Sequence, residues 1–132
     1  VKCFVAAILL LVAINANAEL WNAAVTSETG TTFFYDPTNI IRDGNMVRYW
    51  ELENYSKPLI AGNIILLSSK IQMLVDCQNK KYKNLNIFDY NKSFATGDLV
   101  HIDLTGNHPW NLITPGSVDN ALFDFVCKAS PN

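Results

Sequence analysis

Two histidines, three cysteines and twelve acidic residues are the side chains of this sequence whose chemistry reaches beyond packing. His101 and Asp103 stand two apart on a stretch that alternates, which would place imidazole and carboxylate on one strand face, an acid–base arrangement in principle. The plainer reading is the solvated face of a strand whose other face is Val100, Ile102 and Leu104. Glu51 and Glu53 also share a face, and a charged sheet surface accounts for them. His101 and His108 share neither a helix face nor metal-ligand spacing, so no metal and no cofactor are expected. The sequence contains no G-x-S-x-G, no H-E-x-x-H, no glycine-rich phosphate loop and no EF-hand loop. No set of nucleophile, base and orienter converges, and the expectation is a protein that is not an enzyme.

What remains are aromatic residues. Phe33, Phe34, Tyr35, Tyr49, Trp50 and Tyr55 cluster in the first half of the chain, and strand alternation forces some of them onto the second face of any sheet they join. Core packing is the default for such residues, and an apolar second face points to a partner or ligand. Tyr49, Tyr55, Phe33 and Tyr35 are therefore the candidate interaction surface. Trp50 is expected in the core, facing away from them.

The start of the chain reads as an export signal. Lys2 precedes an unbroken apolar run from Phe4 to Ile14, followed by Asn15-Ala16-Asn17-Ala18, the n-region, h-region and A-x-A order. That run is shorter than the roughly 20 residues that cross a bilayer, so no retained transmembrane helix is expected. The early cysteine, Cys3, lies ahead of the apolar run, where a lipidation motif would need it after, so no lipid is expected. The division is a leader at 1–18 and a single domain at 19–132. Hydrophobic residues make up 49% of the chain and charged ones 17%, enough to bury a core and too apolar for a disordered tail. The net charge is −2 and grows more negative without Lys2, which opposes a nucleic-acid or anionic-membrane partner.

Loss of Cys3 with the leader leaves Cys77 and Cys127 in an oxidising compartment. One disulfide is the simplest outcome, worth roughly 4 kcal/mol for a loop of this length.

The elements that position these residues are short strands and one helix. Leu20 to Val25 and Thr31 to Tyr35 flank the turn Ser27-Glu28-Thr29-Gly30, and Asp36-Pro37-Thr38-Asn39 makes a second turn. Asp43-Gly44 predicts a tight hairpin between Ile40–Arg42 and a central strand, Met46 to Asn54. Lys57-Pro58 is expected to break the sheet. Ile71, Met73, Val75 and Cys77 then point one way, so Cys77 lies on the buried face, and a turn at Gln78-Asn79 sets Val75 opposite Tyr82 on a strand from Lys80 to Tyr90. Leu99 to Leu104 and Trp110 to Ile113 complete the strands. Ser117 is a good N-cap for a helix through about Cys127, apolar over a wide arc apart from the stripe Asn120, Asp124 and Lys128. Cys127 at the edge of that arc would pin the helix to the sheet through Cys77. The fold class is α+β: an antiparallel sheet of about six strands backed by one C-terminal helix, with a strand–helix disulfide.

In that order the residues resemble the bacterial surface-adhesin protein E family over nearly the whole mature chain. Trp21, Tyr35-Asp36-Pro37, Asp43-Gly44-Asn45, Val47, Trp50, Ser69-Lys70, Asp76-Cys77, Trp110, Ile113-Thr114-Pro115-Gly116-Ser117 and Cys127 carry the resemblance. It implies the same sheet, helix and disulfide, together with an envelope or surface location. The family takes its name from an adhesin that binds host matrix proteins.

Three classes of function follow: an exported protein-binding module adhesive to host extracellular-matrix protein, a structural periplasmic homodimer, and, with least support, a small cryptic enzyme. Amino-terminal sequencing of envelope-fraction protein should read from Glu19, with no acyl group. A start elsewhere or a blocked terminus would contradict the leader.

Overall fold

The computed structural model describes residues 19–129, and the leader expected at 1–18 lies outside them. Eight strands and one helix follow in order: β1 (Asn22–Thr26), β2 (Thr32–Tyr35), β3 (Ile41–Asp43), β4 (Met46–Ala61), β5 (Ile64–Asp76), β6 (Lys81–Lys92), β7 (Thr96–Asp103), β8 (Asn111–Leu112) and α1 (Val118–Lys128). Six of the strands run in the order β1-β2-β4-β5-β6-β7, every pairing antiparallel, and short β3 and β8 attach to β4 and β6. The expected α+β class and strand–helix disulfide are both present.

Turn chemistry shapes the connections. Asp36 Oδ1 accepts from the Thr38 amide at 2.9 Å, the local bond that makes Asp a turn former. The β3–β4 turn falls one residue later than expected, at Gly44-Asn45, where Gly44 takes φ +59° without a Cβ penalty. Val75 does pair with Tyr82, but four residues rather than two make that turn.

Lys57-Pro58 does not end the sheet. β4 continues to Ala61 because β2 stops pairing at Asn54 and the β4–β5 register is irregular between Asn54 and Leu59. Pro58 thus sits where no regular ladder bond is required of it. Beyond that point β4 and β5 form a projecting hairpin, on which Leu59, Ile60 and Ile65 are exposed.

The core lies between one face of the sheet and α1. It gathers Val47, Tyr49, Ile71, Met73, Val75, Ile113, Leu122 and Val126. Tyr49 is only 2% exposed. The assignment of the two β4 faces is therefore corrected: Val47 and Tyr49 point toward the helix, while Trp50 faces away and is half-buried. Leu52, on the Trp50 face, is fully buried nonetheless. The β6–β7 turn folds back over that side, with the Phe94 amide donating to Asn54 Oδ1 and the Phe94 ring set edge-on to Phe34 at 5.5 Å.

Helix α1 is held at both ends. Ser117 Oγ accepts from the Asn120 amide, the expected cap. At the other end Arg42 donates to the Cys127 carbonyl, satisfying an orphan helix acceptor, and Cys127 is bonded to Cys77 across a separation of 50 residues. An eleven-residue helix is marginal by itself, so these attachments and its buried face set its stability. Cys77→Ala should cost about 2–5 kcal/mol in denaturant unfolding, and reduction of the unaltered protein should cost a similar amount. An unchanged midpoint in both would show that the helix needs no tether.

Candidate functional site

Four residues of β4 at period two, Tyr49, Glu51, Glu53 and Tyr55, share the helix-side face. The strand register carries that row across the sheet. Glu51 pairs with Tyr35 on one side and Ile71 on the other, and Glu53 pairs with Phe33 and Ser69. Glu51 is 3% exposed, so the charged, solvent-facing surface expected for Glu51 and Glu53 is corrected.

The row is joined by hydrogen bonds. Tyr49 donates to Glu51 Oε2 at 2.6 Å and Tyr55 to Glu53 Oε2 at 2.9 Å. Tyr55 Oη lies 2.7 Å from Ser69 Oγ, which donates to Asp89 Oδ1 at 2.5 Å. Asp89 Oδ2 is 2.9 Å from His101 Nδ1. His101 therefore pairs with Asp89 on the neighbouring strand, and Asp103 faces His108 at 3.1 Å instead.

Burial dominates the electrostatics. It pushes the Glu51 carboxyl well above the usual carboxylate range, with the adjacent Glu53 adding to the effect. Glu53 is raised for the same reason, as is Asp119 on α1. The Tyr49 hydroxyl is raised by burial and then by Glu51, and Tyr82, facing Asp119, is pushed up to about 12. Two buried carboxyls side by side cannot both ionise cheaply, so ionisation of one opposes ionisation of the other.

This chain of groups does not make a nucleophile. Asp89 stands between Ser69 and His101, so the imidazole does not touch the hydroxyl that it would need to deprotonate. Ser69 is also 2% exposed. The void between sheet and helix, bounded by Tyr49, Tyr82, Asp119 and Phe123 among others, is about 10 Å³, too small for a substrate. Among the described residues no group of three or more His, Cys, Asp or Glu side chains is arranged to hold a metal ion.

The expected interaction surface does not form one patch. Tyr49 is buried, so its assignment to a partner surface is corrected, and Tyr55 is half-buried in the polar row. Phe33 packs against the core. Tyr35 also packs there but forms part of the wall of an open groove of about 420 Å³ with Pro37, Ile40 and Phe125. Its ring stacks on Phe125 at 5.2 Å, and Phe125 is 45% exposed. Phe125 went unread as a surface residue because it sits among apolar neighbours on an almost wholly apolar helix. The Tyr-x-Glu-x-Glu-x-Tyr spacing was the available signal for the buried row.

A family model described as surface-adhesin protein E matches residues 21–128. The chain belongs to the surface-adhesin protein E family. Solved structures of Haemophilus influenzae protein E share its fold. One is 14% identical with a TM-score of 0.60, covering 81% of this chain and 83% of that one. A crystal structure of protein E from non-typeable Haemophilus influenzae is also 14% identical, with a TM-score of 0.60 and coverage of 85% and 81%. No curated protein sequence matches the chain. Family membership accounts for the sheet, the helix and the order of the motifs.

The acidic row gives this domain an unusual pH response. A carboxyl raised in the folded state contributes stability that is complete below its unfolded pKa, near 4.5 for Glu, and is lost as pH rises through the folded value. Asp76 and Asp103 are lowered, first by backbone hydrogen bonds from Asn79 and Thr105, and act only on the acid side of 3.8. The melting temperature should therefore be higher near pH 5 than near pH 8, and Glu51→Gln should flatten the decline. A melting temperature that rises over that interval would contradict the burial of these carboxyls.

Proposed function

We propose that this protein is an exported adhesin without catalytic turnover, acting at the cell surface by holding a host extracellular-matrix protein. Membership of the surface-adhesin family over residues 21–128 carries the reading. The Ser–Asp–His order supports it from the chemical side, since that arrangement fixes a sheet surface rather than activating a hydroxyl. The leader at 1–18 would provide export. Among the described residues no helix is long and apolar enough to cross a membrane.

The partner surface on this reading is the groove beside α1. Phe125 presents an exposed aromatic edge there, backed by Tyr35 and bordered by the Asp124–Lys128 pair at 3.8 Å. An aromatic anchor in an apolar groove with a charged rim is the anatomy of a protein-binding hot spot. The disulfide and the Arg42 bond hold the helical wall of that groove in place.

Intact cells treated with protease should lose the protein, and purified protein should bind immobilised matrix proteins. Phe125→Ala should weaken that binding by roughly tenfold or more, as loss of an aromatic anchor does, with little change in melting temperature. Protection from protease in intact cells, no matrix binding and a dimer in sedimentation would instead support the structural periplasmic homodimer.

A further inference from the structure

The two faces of the sheet differ in charge. Glu51, Glu53 and Asp89 project on the helix side, and Asp119 meets them from α1. Arg48, Lys70, Lys81 and Lys83 project on the other side. The negative net charge of the chain therefore conceals a cationic face. Part of this face is already occupied. Lys70 is paired with Glu19 and sits over the Trp50 ring, and the β6–β7 turn covers Leu52. Lys81 has Asp76 beside it on the same face, and exposed Asp43 lies at the edge. The stretch around Arg48, Lys83 and Trp110 stays open, and among the described residues neither Arg48 nor Lys83 has a carboxylate within ion-pair distance.

We propose that this open outer face binds an acidic polysaccharide. Arg48 and Lys83 stand on one rung, either side of Leu74 on the middle strand. Two strand spacings, about 9.5 Å, separate them, comparable to the length of one disaccharide. Next along the sheet, Asn86 Nδ2 donates to Gln72 Oε1 at 2.7 Å. That bond uses neither the Gln72 Nε2 donor nor the Asn86 Oδ1 acceptor, which stand on neighbouring strands as the donor and acceptor that a sugar hydroxyl uses. Lys81 Nζ and Lys83 Nζ sit over the Trp110 ring, 4.8 Å and 5.2 Å from its centroid, and the indole is 38% exposed. The exposed remainder of the indole offers apolar surface for sugar C–H groups next to charges for sulfate or carboxylate.

An acidic polypeptide would meet the same cations, but it gains most by adding a strand, and β4, β5 and β6 are already paired on both sides here. This surface lies across the sheet from the groove at Phe125, so its occupancy does not depend on the protein-binding reading.

The test uses disulfide-bonded exported protein, with heparin, neutral dextran and polyglutamate as probes, at low and at physiological salt. Heparin should bind in a salt-sensitive way, dextran should not, and polyglutamate should bind more weakly than heparin. Arg48→Ala/Lys83→Ala should weaken heparin binding by roughly tenfold or more, since two charge-assisted contacts are lost. Gln72→Ala should weaken it less, and Lys128→Ala, which removes a cation from the other side of the molecule, should leave it unchanged. Melting curves of the variants should superimpose on the parent, and Gln72→Ala replaces the double variant should the latter unfold. Polyglutamate binding as tight as heparin would overturn the proposal in favour of an acidic polypeptide. Absence of heparin binding, or an equal loss with Lys128→Ala, would overturn it outright.

Discussion

Strand β4 is hydrogen-bonded along both edges, to β3 and then β2 on one side and to β5 on the other, so its side chains have only the two faces of the sheet to occupy. A single eleven-residue helix can cover only one of those faces. Val47 and Tyr49 take the covered side, and strict alternation then carries Glu51 and Glu53 toward it as well. An ionised carboxylate in that position would cost several kcal/mol. Tyrosine hydroxyls donating at both ends of the row, and a Glu51 carboxyl held well above the usual carboxylate range by burial, make this position tolerable. The acidic inner face, the cationic outer face and the position of α1 all follow from this alternation.

The outer face shows how a sheet manages with no second helix. The turn after β6 folds back so that Phe94 meets Phe34 above Leu52, while the Ala95 amide donates to Ser68 Oγ. Phe94 and Ala95 both adopt left-handed backbone, φ +57° and +52°, which costs non-glycine residues about 1–3 kcal/mol each. Burial of Leu52 and the bonds that the Phe94 and Ala95 amides donate to Asn54 Oδ1 and Ser68 Oγ offset that strain. The rest of the outer face, toward Arg48 and Trp110, is left to solvent and to whatever binds there.

Much of the architecture was legible in the sequence. Turn residues at Asp36-Pro37, the alternation of Ile71, Met73 and Val75, the Ser117 cap and the paired cysteines each reflect a local rule, and the structure obeys them. The faces of β4 were not legible, because local apolar bulk favours Trp50 and Leu52 for the core. What reverses the choice is in part non-local, a turn forty residues on that folds back on the Leu52 side; the local part is the pair of tyrosines two residues either side of the glutamates, a spacing that the sequence does display. The solvated strand face read for His101 holds, but its partner was not legible, since Asp89 lies across a strand pair rather than beside it in sequence. Pro58 misled because a proline rule for strand interiors does not extend to a hairpin whose register has slipped.

The burial of the carboxyl row can be read directly by carbon-detected NMR titration of the Glu51 and Glu53 side-chain carboxyls. The structure predicts that they titrate as a coupled pair, with at least one step well above the ordinary glutamate range, and that Tyr49→Phe perturbs the Glu51 step most. Two independent titrations near 4.5, unaffected by Tyr49→Phe, would mean that this face of β4 lies in water and that α1 covers the other one.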